Sequence, residues 1–195
     1  MKRFAWLCVV LTAGCMKAPV RVGIKTKPQG ALLQKGQQLQ LRAVAYDRDG
    51  LILDTEDLTW QSSQPSVADV DAKGMLTAKS SGTATITASS GGKSESFDAK
   101  VQIVGSVEVT GLVMVGGIIP KLKLGKALTL TALVKDDKGA AIDDAKVRWS
   151  TSTHALDLEA TGTKAIATAQ ALGECEVYAE SQGKIGSVRL TTTDK

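Results

Sequence analysis

Gly82-Thr83-Ala84-Thr85-Ile86-Thr87-Ala88 alternates apolar and polar residues with a period of two. Successive side chains on an extended strand point to opposite faces, so Ala84, Ile86 and Ala88 face a core while the threonines face away. The pattern returns as Gly173-Glu174-Cys175-Glu176-Val177-Tyr178-Ala179, with Cys175 standing where the first copy has Ala84, an offset of 91 residues. Upstream, Lys35-Gly36-Gln37-Gln38-Leu39-Gln40-Leu41-Arg42-Ala43 lines up with Leu124-Gly125-Lys126-Ala127-Leu128-Thr129-Leu130-Thr131-Ala132 at an offset of 89. At that offset Asp47 meets Asp136, Gly50 meets Gly139 and Trp60 meets Trp149. The chain therefore holds two copies of one unit of about ninety residues, within the usual domain range, the second carrying a two-residue insertion.

The period of two extends through each copy. Leu39, Leu41, Ala43 and Ala45 alternate with Gln40, Arg42, Val44 and Tyr46, and Leu128, Leu130, Ala132 and Val134 alternate with Thr129, Thr131, Leu133 and Lys135. Half-buried antiparallel strands have this signature. Turn signals separate the runs: Asp47-Arg48-Asp49-Gly50, Ser80-Ser81-Gly82, Ser90-Gly91-Gly92, Asp136-Asp137-Lys138-Gly139 and Gln182-Gly183. No sustained helical stripe follows residue 15. Short strands at this spacing predict an all-β sandwich in each copy.

The first residues read differently. Lys2 and Arg3 precede the short apolar run from Phe4 to Leu11, and small residues follow at Thr12, Ala13 and Gly14 before Cys15. That order is an export signal, and the run is too short for a span of roughly 20 apolar residues. Leu11-Thr12-Ala13-Gly14-Cys15 resembles a bacterial lipobox, with Thr12 where an aliphatic residue is usual. The resemblance implies cleavage before Cys15, acylation of its thiol and attachment to a membrane. Met16 follows, and the absence of aspartate there implies sorting to the outer membrane.

Loss of residues 1–14 removes Lys2, Arg3 and Cys8 and leaves 22 basic against 20 acidic residues, a formal +2. That balance, with lysines and arginines scattered, gives no basic stripe for nucleic acid. The Lys121/Lys123/Lys126 group reads as a solvated edge that resists strand-to-strand aggregation. With Cys15 acylated only Cys175 remains, so packing alone must hold each fold.

The motifs now carry a second resemblance. Leu58-Thr59-Trp60-Gln61-Ser62-Ser63, Pro65-Ser66-Val67-Ala68-Asp69-Val70-Asp71, Gly74-Met75-Leu76-Thr77-Ala78 and Gly82 to Ala88 together resemble the bacterial immunoglobulin-like group 2 (BIG2) module, found in surface adhesins of the intimin and invasin kind. The second copy keeps Arg148-Trp149-Ser150-Thr151-Ser152 and Gly173 to Ala179, and has Thr153-His154-Ala155-Leu156 in place of the Pro-Ser-Val-Ala element. The resemblance implies two tandem immunoglobulin-like β-sandwich domains. Residues 1–14 are then the lipoprotein signal peptide, 15–20 a lipidated tether, 21–104 the first domain and 105–193 a diverged second. The short link around Ile103 to Val107 predicts a stiff rod.

Candidate chemistry is sparse. Trp60 and Trp149 recur at matched strand starts and read as core-structural rather than as a stacking surface. Asp47, Asp49, Asp54, Glu56 and Asp57 gather around one hairpin, and Asp136, Asp137, Asp143 and Asp144 around its match. Asp47 and Asp49 are the calcium candidates, but Leu58 stands where a calcium loop needs glutamate, so the turn reading is preferred and no cofactor is expected. His154 is the only histidine, which leaves no zinc set and no base to activate a serine. Cys175 alternates inward as a small hydrophobe. Leu112 to Pro120 is unusually apolar and reads as an edge strand and loop folded onto the second core, against the alternative of a partner-binding patch. No catalytic constellation is present. The expected function is a non-catalytic adhesion, interaction or spacer module of the bacterial cell envelope, bound to the membrane through Cys15 and meeting a protein or glycan partner. The alternative is a polysaccharide- or peptidoglycan-binding module, with Tyr46, Phe97 and Tyr178 as its available aromatics.

Overall fold

The computed structural model describes residues 18–53, 57–112 and 119–194. The expected signal peptide, Cys15, Asp54, Glu56 and residues 113–118 lie outside them. All regular elements among the described residues are strands. In the first repeat these are β1 (Arg21–Thr26), β2 (Gln38–Gln40), β3 (Arg42–Tyr46), β4 (Thr59–Ser62), β5 (Ala68–Val70), β6 (Met75–Ala78), β7 (Gly82–Ser90) and β8 (Lys93–Val101). In the second they are β9 (Val104–Thr110), β10 (Lys121–Lys123), β11 (Ala127–Asp136), β12 (Arg148–Thr151), β13 (Leu156–Thr161), β14 (Lys164–Ala169), β15 (Gly173–Ser181) and β16 (Lys184–Thr193).

No ladder joins a strand of the first set to one of the second. The second unit is two four-stranded sheets, β13-β14-β11-β9 and β10-β16-β15-β12. The first unit repeats that plan with one sheet divided into β1-β3 and β2-β6-β5, facing β4-β7-β8. The division falls at Leu41, which leaves the ladder to donate its N–H to Gly74 O at 2.8 Å. In the second unit the corresponding β11 runs unbroken and pairs with β14 and then with β9. Val104 opens β9 opposite Asp136 and is buried in the second core, one residue earlier than the sequence places that unit.

The predicted inward residues Leu41, Ala84, Ile86, Leu130, Cys175 and Val177 lie in the cores, together with others that the sequence did not single out. Leu41, Leu76, Ala84, Ile86, Ala99 and Val101 cluster in the first unit, and Leu130, Ala167, Cys175, Val177 and Leu190 in the second. These are two immunoglobulin-like all-β sandwiches, and the turn residues show why the strands stop where they do. Asp47 Oδ1 accepts the N–H groups of Asp49 and Leu51, at 3.0 and 2.9 Å. Asp136 Oδ1 accepts those of Lys138 and Ala140, at 2.9 and 2.8 Å. An aspartate that mimics a backbone acceptor in this way fixes a tight turn.

The extra length of the second copy has a definite place. Val70 pairs with Leu76 across the β5–β6 hairpin, whereas Leu158 pairs with Ala167 and the β13–β14 hairpin continues out to Thr161 and Lys164. This hairpin is three residues longer between matched pairs. The β12–β13 connection that replaces the Pro-Ser-Val-Ala element is one residue shorter than its counterpart, which leaves the net two.

The seam between sheets closes differently in the two copies. Glu95 on β8 reaches across to β1, its Oε2 accepting the Ile24 N–H at 2.7 Å and its Oε1 the Lys27 ammonium at 3.1 Å. Gly186 stands at the matching position of β16, where β9 comes so near that a Cβ would lie 2.5 Å from Val107 O. Gly186→Ala is expected to destabilise the second unit by about 1–3 kcal/mol, since the obstacle is backbone. Gly30→Ala, which meets nothing within 4 Å, is expected to stay within about 0.5 kcal/mol of the parent. Urea denaturation of both variants checks the contrast.

Candidate functional site

Each tryptophan joins two clusters of its own unit. Trp60 packs against the Leu41–Leu76–Ile86 cluster and against Val22, Ile24 and Ala88, while Trp149 touches both clusters of the second unit. Both are half-buried. Each indole also meets the glycine at the tip of the opposing hairpin. A Cβ on Gly74 would sit 2.9 Å from Trp60 Nε1, and Trp149 Nε1 donates to Gly162 O at 3.2 Å.

Asp47 and Asp49 meet within one turn, where the Asp47 carboxylate takes backbone donors that include the N–H of Asp49. Asp71 does the same in the β5–β6 turn, accepting from Lys73 and Met75. Among the described residues no group of three or more His, Cys, Asp or Glu side chains is arranged to hold a metal ion. His154 is exposed in the β12–β13 turn. Cys175 is buried, its Sγ 3.6 Å from Leu190 O, and burial raises its pKa away from the reactive thiolate. Lys121 and Lys123 are exposed on the edge strand β10. Of the apolar run, Leu112 packs on the second core and Ile119 is exposed.

The aromatics considered for a glycan platform are dispersed and engaged. Arg21 and Lys25 lie over the Tyr46 ring, 4.3 and 5.2 Å from its centroid. Phe97 packs on both clusters of the first unit. Tyr178, in the other unit, donates to Glu176 Oε2 at 3.1 Å. Glu176 also accepts from Ser187 Oγ at 2.7 Å and Arg189 Nε at 3.4 Å. The Ser187 hydroxyl first, then Tyr178 and Arg189, lower the Glu176 pKa, and the same bond raises that of Tyr178. This half-buried cluster beside Ile119 and Cys175 is a network of mutually satisfied groups, with no nucleophile held by a base.

The densest polar constellation is the joint between the units, which sequence reasoning missed. Ser81 is 3% exposed. Its N–H donates to Asp137 Oδ1 at 3.0 Å, its hydroxyl accepts the Ile103 N–H at 2.9 Å, and its carbonyl accepts the Lys138 ammonium. The Asp137 N–H donates to Ile103 O at 3.0 Å. Gln182 closes the other side, Oε1 accepting from Val104 N at 3.0 Å and Nε2 donating to Gln102 O at 3.0 Å. Gln102 Nε2 reaches Asp144 Oδ1 at 3.2 Å. Burial by itself would raise the Asp137 pKa, but the bonds from Ser81 and the Lys138 charge outweigh it and hold the carboxyl below the usual range. The second acidic cluster thus includes two residues that grip the first unit. A turn aspartate gives no sequence signal for this, because Asp137 looks like its neighbours until the fold brings Ser81 to it.

Residues 22–101 match the family model described as the bacterial Ig-like domain (group 2). The chain is 30% identical over 177 residues to Ice-binding protein 1 of Shewanella frigidimarina, an alignment covering 88% of this chain and 19% of that protein. The chain thus spans under a fifth of the length of this curated relative. Among solved structures it is similar to the Escherichia coli adhesin FdeC, with a TM-score of 0.46 and 16% identity, covering 90% of this chain and 63% of that one. It is also similar to the Yersinia pseudotuberculosis adhesin InvE, with a TM-score of 0.43 and 14% identity, covering 88% and 58%. Domains 5 and 6 of the S-layer protein SbsC give a TM-score of 0.37 and 17% identity, covering 91% and 99%.

Two outcomes are expected. Glu95 has its pKa lowered first by the Ile24 N–H and then by Lys27. A lowered carboxylate stabilises the fold above the ordinary glutamate value of about 4.3 and loses that contribution as pH falls through the lower folded value. Glu95→Gln is expected to flatten the acid limb of a thermal-midpoint profile below about pH 4.3 and to leave the neutral limb parallel to the parent. Asp137→Ala strands the buried Ser81 N–H. Residual dipolar couplings of the two units are expected to fit one alignment tensor in the parent and two in the variant.

Proposed function

We propose that this chain is a non-catalytic lipoprotein of a bacterial cell envelope, held in the outer membrane by acyl chains on Cys15, and that its two immunoglobulin-like units form a jointed interaction or spacer module. What supports this most is a stretch resembling an export and acylation signal, ending in Ala13-Gly14-Cys15, joined to a unit matched over residues 22–101 by the bacterial Ig-like group 2 model. Physical features agree. The polar cluster at Glu176 is spent on its own members, and the one at Ser81 and Asp137 on the joint. A joint with bonds on both sides of Ile103 transmits orientation, which a spacer needs and a loose tether would lose. Stable anchoring needs more than a single acyl chain, and a lipobox cysteine supplies a set of chains at one residue. Ice binding, named for the Shewanella protein, is not carried over, because the alignment takes in 19% of that protein.

The experiment is metabolic labelling with radioactive palmitate in a Gram-negative host. The parent is expected to take label and to fractionate with outer membranes. Cys15→Ser is expected to lose all label and to move to the soluble periplasmic fraction. Persistent membrane association of an unlabelled Cys15→Ser protein would overturn the anchor.

A further inference from the structure

Two large apolar side chains stand bare at one end of the first unit: Leu51 is 56% exposed and Ile52 64%. Val20, 45% exposed, belongs to the same end. The backbone register gathers them. The Val20 N–H donates to Tyr46 O at 2.8 Å, Arg21 pairs with Tyr46, and Tyr46 bridges to Ile52. The β7–β8 turn closes the same end, where a Cβ on Gly91 would strike Pro19 Cγ at 2.2 Å.

The turn does not need these residues. Its partner in the second repeat is built by the same two aspartate bonds and the same bridge, Lys135 to Ala141. There the matching residues are Ala140 and Ala141, followed by the buried Ile142 where the first repeat has half-buried Leu53. The copy whose turn lies at the joint thus carries alanines, and the copy whose turn points away from it carries leucine and isoleucine. A lone exposed leucine is ordinary. A three-residue apolar tip that the repeat's own architecture does not require marks a contact.

Chain length names the contact. Cys15 precedes Val20 by five residues, a span of about 18 Å at most when fully extended. With Cys15 acylated, the reading on which this inference rests, that end of the first unit stays within this reach of the headgroups. The opposite end is taken up by the second unit through Ser81 and Asp137. We propose that Val20, Leu51 and Ile52 seat the first unit directly on the lipid surface, their side chains entering the boundary between headgroups and acyl chains, so that the anchor sets the tilt of the molecule as well as its location. Arg21, Arg48 and Lys93 are exposed at this end, but so are Asp49 and Asp57, so apolar burial rather than net charge drives the contact. Acyl chains and an inserted apolar tip then act together, as paired membrane signals do.

The test uses the acylated full-length protein reconstituted into phosphatidylethanolamine–phosphatidylglycerol vesicles, with and without bromine on the acyl chains. Ile52→Trp reports on the tip. Ile185→Trp, at an equally exposed position on the second unit (64% for both parent side chains), is the control. Tryptophan emission above the parent's is expected to fall at least twofold in brominated vesicles for Ile52→Trp and to stay unchanged for Ile185→Trp. Quenching is expected to persist at about 1 M salt, where screening acts within roughly 3 Å. The mass of the amino-terminal peptide is measured on the same sample. An acylated peptide with no quenching at Ile52→Trp overturns the seat and leaves the anchor standing. Equal quenching at both positions overturns it as well, because the molecule then lies flat. A peptide without acyl chains overturns the anchor and the seat together.

Discussion

The contact on which each unit depends is an indole laid across two sheets against the glycine at a hairpin tip. The cores are made largely of alanine, valine and leucine, and Cys175 is the free cysteine among the described residues. Small side chains fill the space between sheets but do not reach far, and among the described residues no disulfide fixes the sheet spacing. Trp60 and Trp149 do reach, each touching both apolar clusters of its unit. The hairpin must then come close. Gly74 does so with a φ of 80° and Gly162 with a φ of 58°. Any Cβ at Gly74 would meet the indole and the Leu41 carbonyl together. The break between β2 and β3 belongs to the same arrangement, since the Leu41 N–H leaves the ladder to bond Gly74 O.

Beyond the units, the joint converts two separately cored sandwiches into one oriented object. The link is too short to wander, but shortness alone does not choose an angle. The choice is made by Asp137 and Gln182, which come from two turns of the second unit and grip the backbone groups of Ser81 and Gln102 in the first. Gly105 permits the approach, because a Cβ there would lie 2.5 Å from Asp136 O. Backbone N–H groups buried at such a place need partners, and side chains from the neighbouring unit provide them.

Much of this was legible in the residues, and the limit has a physical form. The repeat, its offsets, the inward set Ala84, Ile86 and Ala88, and its match Cys175 and Val177 follow from a period of two, a local property of extended chain. The net insertion was countable, but its division into a longer β13–β14 hairpin and a shorter connection was not, because a length difference carries no address. Glu95 and Gly186 were also illegible. They occupy one seam position and close it by opposite means, a carboxylate that spans the gap and a glycine that removes it. Ser81 and Asp137 were read as ordinary turn residues, since nothing within either turn indicates the other.

Duplicated units face different surroundings, and their matched turns record the difference. Arg48-Asp49-Gly50-Leu51-Ile52 and Asp137-Lys138-Gly139-Ala140-Ala141 share a backbone plan fixed by one aspartate each. In the second, aspartate and lysine hold Ser81 of the first unit, and the alanines sit beside that joint. In the first, the grip is replaced by Arg48 and Asp49, and the alanines by large apolar residues that no described protein group covers. A shared plan with exchanged side chains means that the fold is indifferent to those positions, so their chemistry reports what each turn meets. One turn meets protein. The other adjoins Val20, five residues after the cysteine expected to carry lipid, and its side chains suit lipid better than water.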